Sequence, residues 1–302
     1  MRIMLIGANG QVGWELARSL MPLGEVVALT RAQCDLSRPE TIPGIVQAIK
    51  PDWIVNAAAY TAVDKAEEEE VLATTINGTA VGVLAEQAKR RNALLVHYST
   101  DYVFDGTKST PYTEEDESNP INAYGRSKLA GEQAVREVGG EHLIFRTSWV
   151  YSARGSNFVR AMLKLAKEQD RFEVVSDQIG APTSVALIAD VTALALHHLA
   201  TNPLQRGRLS GIYHLTASEF TSWQQFAQLA IGMAKELGLS LKAKPDSVLP
   251  ILSSEYSSLA KRPLNSRLNT EKTSNTFNVR LPRWQKYMDR VLMEMLGAKS
   301  EW

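Results

Sequence analysis

The chain has 302 residues, 44% hydrophobic and 22% charged, and its 33 lysines and arginines equal its 33 aspartates and glutamates. This composition excludes wholesale disorder. A net charge of zero gives no general attraction to nucleic acid or anionic lipid, so neither partner is expected. The best candidate for a membrane span is broken by Asp190, and the single cysteine, Cys34, cannot form an intramolecular disulfide. We therefore expect a soluble, cytoplasmic protein without a secretory signal.

The first half of the sequence alternates between short apolar runs and segments with helical periodicity. Strands are predicted at Arg2–Ile6, Glu25–Leu29, Trp53–Asn56, Leu94–Ser99 and His142–Thr147, and helices at Gln11–Leu23, Pro39–Lys50, Val71–Arg91 and Ala123–Val138. Strands that are apolar on both faces and alternate with helices are typical of a parallel sheet covered on both sides. The sequence therefore predicts a doubly wound α/β domain of the Rossmann type over residues 1–150.

After about Val150 the alternation becomes less regular. Helices are predicted at Asn157–Lys167, Ile188–Ala200, Ser222–Leu237 and Pro282–Leu296, and one strand at Gly211–Leu215. We interpret residues 151–302 as a smaller, mainly substrate-binding region. Segments between about 185 and 220 are expected to return to the Rossmann domain.

A glycine-rich turn follows the first predicted strand and leads directly into a helix. Its residues are Gly7, Ala8, Asn9, Gly10, Gln11, Val12 and Gly13. Glycines at such a junction permit a tight turn and let the backbone approach a pyrophosphate, which the free amides of the helix start attract. The spacing is G-x-x-G-x-x-G, and a glycine motif alone also fits an ordinary loop. Its position in a βαβ pattern favours a dinucleotide site.

The end of the second predicted strand bears on the choice of cofactor. An acidic residue there would bind a ribose 2′-hydroxyl, but this chain has Leu29-Thr30-Arg31. A guanidinium suits phosphate geometry, so Arg31 is predicted to pair with a 2′-phosphate. We therefore expect NADPH to be used at least as well as NADH, with a merely solvated arginine as the alternative.

Tyr124 and Lys128 are four residues apart on a predicted helix, so both side chains share one face. The ordinary pKa of tyrosine is near 10, and a neighbouring cation lowers it toward the range that acid catalysis needs. We predict that Lys128 lowers the pKa of Tyr124 in this way, although such a pair also fits a surface helix. Thr100 ends the preceding strand, where it could bind a substrate carbonyl or serve only as a turn residue.

These features resemble the extended short-chain dehydrogenase/reductase family. The glycine turn, Asn56-Ala57-Ala58-Ala59, Ser99-Thr100-Asp101 and Tyr124-x-x-x-Lys128 fall in that family's order and spacing. Within the family, further segments resemble the dTDP-4-dehydrorhamnose reductases, from Met1 to about Leu296. These segments include Thr61 to Glu67, Phe145 to Tyr151, Asp177 to Thr183 and Arg262 to Leu268. The resemblance implies NAD(P)H-dependent reduction of the C4 ketone of a dTDP-4-keto-6-deoxysugar, dTDP-4-dehydro-β-L-rhamnose, to dTDP-L-rhamnose.

The resemblance also implies roles for individual residues. Thr100, Tyr124 and Lys128 would be catalytic, with Tyr124 as the proton donor and Lys128 on the nicotinamide ribose. The implied cofactor-binding residues are Asn9, Gly10, Gln11 and Val12 at the pyrophosphate, and Asp35, Leu36, Ala59, Tyr60 and Thr61 at the adenosine and ribose. The implied substrate-binding residues are Thr100, Asp101 and Trp149 at the sugar, and Arg262 and Asn265 at the nucleotide diphosphate.

A homodimer and a Mg²⁺ site are a further implication. Some bacterial relatives dimerise through Mg²⁺ held by acidic residues of two helices. This chain keeps Glu15 and Asp190 but has Ala186 where those relatives carry an acid. Two carboxylates are weak evidence for a hard cation, so Glu15 is either a Mg²⁺ ligand or a plain helix residue.

Two other functions fit the same fold. One is an epimerase or dehydratase that acts on a different nucleotide sugar and retains NAD through many turnovers. The other is a non-catalytic regulatory subunit that binds a partner enzyme. The presence of Thr100, Tyr124 and Lys128 argues against the second, because a pure binding module has no need of a tuned tyrosine.

Overall fold

The computed structural model describes residues 1–297, so positions 298–302 of the predicted substrate-binding region lie outside the described residues. The strands are β1 (Arg2–Ile6), β2 (Glu25–Leu29), β3 (Trp53–Asn56), β4 (Leu94–Thr100), β5 (His142–Thr147), β6 (Val150–Tyr151), β7 (Phe172–Val175), β8 (Ile179–Gly180), β9 (Thr183–Ser184), β10 (Gly211–His214), β11 (Thr221–Ser222) and β12 (Val248–Ile251). The α-helices are α1 (Gln11–Ser19), α2 (Ile42–Ile49), α3 (Val63–Ala66), α4 (Glu70–Thr74), α5 (Ala80–Arg90), α6 (Ala123–Val138), α7 (Phe158–Glu168), α8 (Val185–Thr201), α9 (Arg206–Leu209), α10 (Trp223–Glu236), α11 (Glu271–Phe277) and α12 (Met288–Leu296).

The central layer is a six-stranded sheet in the order β10-β5-β4-β3-β1-β2, and every pair in it is parallel. Alternate residues of β1 pack into different apolar layers: Ile3 and Leu5 on one face, Met4 and Ile6 on the other. The sheet is therefore covered on both faces, and the predicted doubly wound α/β fold is confirmed. Its strand order reverses between β1 and β3, which is where such sheets bind ligands.

Helices cover the two faces as the apolar pattern requires. Helix α1 packs against α8 on one face, and α2 packs against α5 on the other. A π-helical turn at Thr75–Thr79 joins α4 to α5, so the long predicted helix at Val71–Arg91 is confirmed with this one distortion.

Proline explains two of the three places where a predicted helix was too long; in the third, the predicted helix Pro282–Leu296 is α-helical only from Met288, after a 3₁₀ turn at Trp284–Tyr287. Helix α1 ends at Ser19, and a separate 3₁₀ turn at Met21–Leu23 contains Pro22. The segment predicted to be helical from Pro39 begins as a 3₁₀ turn before α2. Proline has no amide hydrogen to donate to the residue four positions back, so α1 does not continue through Pro22. For the same reason Pro43 cannot donate to the carbonyl oxygen of Pro39, and the α-helix begins only at Ile42.

The second half of the chain contributes to both regions. Strand β10 pairs with β5 at the edge of the central sheet, and α8 lies on α1. The remaining segments form small two-stranded sheets, in which β6 pairs with β9, β7 with β12 and β8 with β11. Val150 of β6 and Trp223, which directly follows β11, line the cleft described next.

Within residues 1–297, no single helix has the length and apolar character needed to cross a membrane. Among the described residues, α8 and the helical segment Pro203–Leu209 reach that length and apolar character only when taken together, and the two are bent by 104° relative to each other.

Candidate active site

A cavity of about 820 Å³ opens at the carboxyl ends of β1, β3, β4 and β5. It extends from the glycine turn to the small sheets of the second half. Fifteen of the residues predicted for the site line it, namely Gly7, Asn9, Gly10, Gln11, Val12, Arg31, Asp35, Leu36, Ala59, Thr61, Thr100, Asp101, Tyr124, Lys128 and Trp149. The cofactor, catalytic and sugar residues of the prediction therefore share one cavity.

The glycine turn has the geometry of a phosphate cradle. Gly7 has a φ of +80°, and a Cβ atom there would lie 2.7 Å from the backbone nitrogen of Ala58. A Cβ at Gly13 would overlap the carbonyl oxygen of Gly7, so Gly13 serves the packing of the turn and does not line the cavity. Helix α1 starts after Gly10, and no side chain within residues 1–297 caps that start. Its first amides are free to bind an anion, which fits a pyrophosphate.

Arg31 and Asp35 stand together at the far end of the cavity. Arg31 Nε lies 3.5 Å from Asp35 Oδ1, and the arginine side chain is 73% exposed. The hydrogen bonds from Ser37 and the nearby guanidinium hold the pKa of Asp35 below its usual range. A cation for a 2′-phosphate and a carboxylate for a ribose hydroxyl are therefore present side by side.

Besides Gly13, two residues predicted to bind the cofactor, Thr30 and Tyr60, lie outside the cavity lining. The amide and hydroxyl groups of Thr30 both donate to Gln33 Oε1. The Tyr60 hydroxyl donates to Glu69 Oε2 at 2.6 Å, and its backbone amide donates to Asn77 Oδ1. Both residues hold loops that flank the cavity.

Helix α6 brings Tyr124 and Lys128 to the site. Asn122 caps its start by accepting a hydrogen bond from the amide of Gly125 at 2.7 Å. A Cβ at Gly125 would overlap the carbonyl oxygen of Tyr102, so the first turn of α6 can lie directly against the end of β4. Thr100 at that strand end therefore faces the same space as Tyr124.

The charge environment of Tyr124 differs from the predicted one. Burial, and the carboxylate of Asp101 after it, raise the pKa of Tyr124 well above its ordinary value, and only the hydroxyl of Thr100 opposes them. Lys128 does not lower the pKa of Tyr124, because its ammonium points elsewhere: Nζ donates to the carbonyl oxygen of Tyr98 at 2.5 Å. The prediction that Lys128 makes the phenol more acidic is wrong for this arrangement. Tyr124 is a phenol that holds its proton until a developing oxyanion takes it.

Lys128 is almost fully buried, with 2% of its surface exposed. Burial lowers the pKa of Lys128 to about 8, against the opposing effect of the nearby Glu132 carboxylate. A lysine with a pKa this close to neutrality can take up or release a proton during turnover.

Several buried polar atoms of residues that line the cavity have no hydrogen-bond partner among the described residues. Thr100 Oγ1 donates to Asp101 Oδ1 at 3.0 Å, while Asp101 Oδ2 has no partner among the described residues. The same holds for the hydroxyl oxygens of Ser99 and Thr147. Burial raises the pKa of Asp101 to about 7. Because buried polar groups are seldom left unpaired, these atoms fit the hydroxyl groups of a sugar.

An aromatic wall closes the sugar side of the cavity. The indoles of Trp149 and Trp223 stack with centroids 3.6 Å apart, and Phe158 lies 4.5 Å from Trp223. Trp149 has a φ of +48°, and a Cβ at Gly180 would lie 2.5 Å from its indole. Sequence reasoning identified Trp149 but not Trp223. No local signal reveals Trp223, since its role depends on contact with a residue 74 positions away.

A second missed element is the segment 152–157. The Ser152 hydroxyl and the Asn157 side-chain Nδ2 both donate to Gln11 Oε1, and Gln11 Nε2 donates to the carbonyl oxygen of Ser156. Arg154 lies over the Trp14 ring at 4.0 Å and also lines the cavity. This segment therefore covers the glycine turn and adds a cation near it.

Arg262 and Asn265 lie outside the cavity lining. Arg262 Nη2 donates to Asp64 Oδ2 at 2.7 Å, and Asn265 Nδ2 donates to the carbonyl oxygens of Lys108 and Thr110. Asn265 Oδ1 accepts hydrogen bonds from Arg267. Both residues therefore fasten the loops around the substrate end.

The acidic residues near α1 do not fit a Mg²⁺ ion. Glu15 accepts hydrogen bonds from Arg18 and Arg290, and Asp190 forms an ion pair with Arg18 at 3.2 Å. In the described part of the chain, no group of three or more histidine, cysteine or acidic residues is placed to hold a metal. Two guanidinium groups already neutralise these carboxylates, so the predicted Mg²⁺ ligand Glu15 has no support.

A parallel sheet with a glycine turn at its switch point, and a buried Thr and Lys with a half-buried Tyr in the adjoining cavity, define a nicotinamide-dependent oxidoreductase of the Rossmann type. The family model described as "RmlD substrate binding domain" matches residues 1–296, and the chain belongs to this family.

Curated and solved relatives agree with that membership. The chain is 50% identical to a dTDP-4-dehydrorhamnose reductase of Burkholderia thailandensis over 300 residues, covering 98% of this chain and 100% of that one. The solved dTDP-4-dehydrorhamnose reductase of Clostridium acetobutylicum is 33% identical, with a TM-score of 0.86 over 98% of this chain and 100% of that one. The enzyme of Bacillus anthracis, solved in complex with NADP, is 34% identical, with a TM-score of 0.84 over 97% and 99%.

Proposed function

We propose that the chain reduces the C4 ketone of dTDP-4-dehydro-β-L-rhamnose to give dTDP-L-rhamnose, with NADPH as the reductant. The observation that supports this most strongly is the meeting of Thr100, Tyr124 and Lys128 with the glycine turn in one cavity. The names of the relatives favour a reductase over the epimerase and the regulatory subunit that the sequence left open.

In this proposal each catalytic residue has one task at a stated atom. When bound, a dihydronicotinamide supplies the hydride that reaches the ketone carbon. The Thr100 hydroxyl donates a hydrogen bond to the ketone oxygen and orients it toward Tyr124. The Tyr124 hydroxyl then gives its proton to that oxygen, and the resulting phenolate later regains a proton, for which Lys128 is the nearby group able to release one.

The preference for NADPH rests on Arg31, which lines the cavity beside Asp35. Its guanidinium would pair with the 2′-phosphate, while Asp35 would accept a hydrogen bond from a free ribose hydroxyl. Asn9, Gly10, Gln11 and Val12 would hold the pyrophosphate at the start of α1.

The sugar would lie between the catalytic residues and the aromatic wall. Asp101 Oδ2 and the hydroxyl groups of Ser99 and Thr147 have no partner among the described residues, and they would bind hydroxyl groups of the sugar. Trp149, stacked on Trp223, would support the ring from the opposite side.

A homodimer and a reducing compartment complete the proposal. Trp14 and Leu194 are about half exposed, at 49% and 52%, and they lie on the adjoining helices α1 and α8. This apolar face suits a second copy of the chain, without a metal ion. The buried, free thiol of Cys34 suits a reducing compartment.

The proposed activity can be tested by the loss of NADPH absorbance. Purified protein is mixed with NADPH and the dTDP-4-keto sugar, and the expected result is one NADPH oxidised for each alcohol formed. A control without the sugar should show no oxidation. Tightly bound NAD, with sugar turnover but no net use of NADPH, would favour the epimerase instead.

A further inference from the structure

A chain of buried polar groups runs from β3 to Lys128. The Ala58 amide donates to Asn56 Oδ1 at 3.2 Å, and Asn56 Nδ2 lies 3.3 Å from His97 Nδ1. On the other side of the ring, His97 Nε2 lies 3.3 Å from Lys128 Nζ. Asn56, His97 and Lys128 are each at most 2% exposed, so solvent does not compete for these contacts.

The Ala58 amide fixes the direction of this chain. A backbone amide can only donate, so it turns Asn56 Oδ1 toward itself and presents the Asn56 NH₂ group to His97. His97 Nδ1 must then accept, which leaves the ring proton of the neutral imidazole on Nε2. His97 accordingly presents a donor to Lys128.

The two protonation states of Lys128 differ in how well they fit this donor. A neutral amine accepts from His97 Nε2 and still donates to the Tyr98 carbonyl oxygen, so every group is paired. An ammonium has no lone pair, so it cannot accept the hydrogen bond from His97 Nε2, and two donors would face each other. Turning the Asn56 amide over does not help, because it moves the donor–donor contact to Ala58.

We propose that His97 is a positioning residue that donates a hydrogen bond to Lys128 Nζ and thereby favours the neutral amine of this lysine. Only the catalytic consequence rests on the proposed function: in the reductase, Lys128 would exchange a proton while Tyr124 is reprotonated. The hydrogen-bond chain itself does not depend on which ketone is reduced.

The other groups around Lys128 do not supply this effect. Tyr98 on β4 offers its carbonyl oxygen, and burial and Asp101 keep the Tyr124 phenol protonated. Glu132, one turn further along α6, favours the ammonium but is bound by Arg146 of β5 at 2.6 Å. Within residues 1–297, His97 is thus the side chain whose hydrogen-bonding state opposes the charge on Lys128. In agreement, burial and the Lys128 charge lower the pKa of His97 well below its ordinary value, so the ring stays neutral.

The first test reads the ring proton directly in the unmodified protein. Nitrogen-15 NMR of labelled histidine side chains separates the two neutral tautomers, and His97→Gln identifies the His97 signals. At a pH above the midpoint of Lys128, we expect the proton on Nε2. A proton on Nδ1 under those conditions would overturn the proposal.

The second test follows Lys128 by carbon-13 NMR of its Cε atom, with Lys128→Met used only to assign the signal. A glutamine at position 97 can turn its carbonyl oxygen toward an ammonium, so His97→Gln should raise the titration midpoint of Lys128 by roughly one unit.

The matched control is His142→Gln, which changes a buried histidine at the start of β5 and should leave the midpoint of Lys128 unchanged. An unchanged or lowered midpoint in His97→Gln contradicts the proposal. Because neither signal requires turnover, these outcomes are separate from a failure of the reductase assay.

Discussion

The indole rings of Trp149 and Trp223 stack with their centroids 3.6 Å apart and their planes 10° apart, which joins a residue after β5 to the first residue of α10. Aromatic pairs of this kind contribute about 0.5–1.5 kcal/mol beyond the area they bury. Trp223→Leu should therefore lower kcat/KM for the dTDP-sugar up to about tenfold, because Trp149 loses its support. Trp223→Phe keeps an aromatic ring and should retain most of the activity. Equal losses in both variants would show that stacking does not matter here.

Tyr124→Phe removes the proposed proton donor and leaves the ring in place. We expect turnover to fall by roughly 10²–10⁴-fold, which is the usual contribution of general acid catalysis. NADPH binding, followed by fluorescence, should change little. The exposed Tyr256 provides the control, since Tyr256→Phe should be fully active. A fully active Tyr124→Phe enzyme would require another proton donor.

Arg31 and Asp35 should control the choice between the two cofactors in opposite directions. Arg31→Ala removes the cation for the 2′-phosphate, so the KM for NADPH should rise about tenfold while that for NADH changes little. Asp35→Ala should weaken NADH more than NADPH, because it removes a ribose ligand and a charge that repels phosphate. Steady-state kinetics with both cofactors measures the two ratios. Parallel changes in both variants would argue against this division of roles.

Asp101 should make the protein less stable as the pH rises. Its pKa is raised from 3.8 to about 7 in the folded chain, so between these values the folded state holds a proton that the unfolded state has released. The free energy of unfolding should then fall by roughly 2–4 kcal/mol across this window, as followed by urea denaturation.

Asp101→Asn should remove most of that fall, since the amide oxygen still accepts from Thr100 and carries no charge. The exposed Asp246 offers a matched control, because Asp246→Asn should keep the dependence of the wild-type protein. Identical pH profiles for Asp101→Asn and the wild-type protein would remove Asp101 as the source.

Removal of divalent metal should have no effect. Glu15 and Asp190 are already paired with Arg18 and Arg290, so dialysis against EDTA should change neither turnover nor molecular mass in solution. Light scattering and the absorbance assay measure the two quantities before and after Mg²⁺ is restored. A loss of activity or of assembly that Mg²⁺ reverses would show a site that these carboxylates do not reveal.

The central sheet could be predicted because its strands are apolar on both faces and alternate with helices. The pairing of β7 with β12 could not be predicted. These two strands have four residues each, and Phe172 lies opposite Val248, a residue so distant in the sequence that no local pattern indicates the contact. The same reason hides Trp223 from a local pattern. The pKa of Tyr124 was predicted in the wrong direction for another reason. The spacing of four residues places Lys128 on the same helix face, but contacts with His97 and the Tyr98 carbonyl oxygen decide where the amino group of Lys128 points.

The late position of β10 in the chain affects how this protein can be made. Leu143, Ile144 and Phe145 of β5 are fully buried, and β10 covers the backbone edge that they would otherwise present. A nascent chain that has emerged only as far as residue 150 therefore exposes an apolar edge strand, which invites intermolecular pairing. Expression of residues 1–150 alone should therefore yield aggregates. A shortened protein that binds the cofactor would have to retain residues 211–214, or carry a designed segment that covers the free edge of β5.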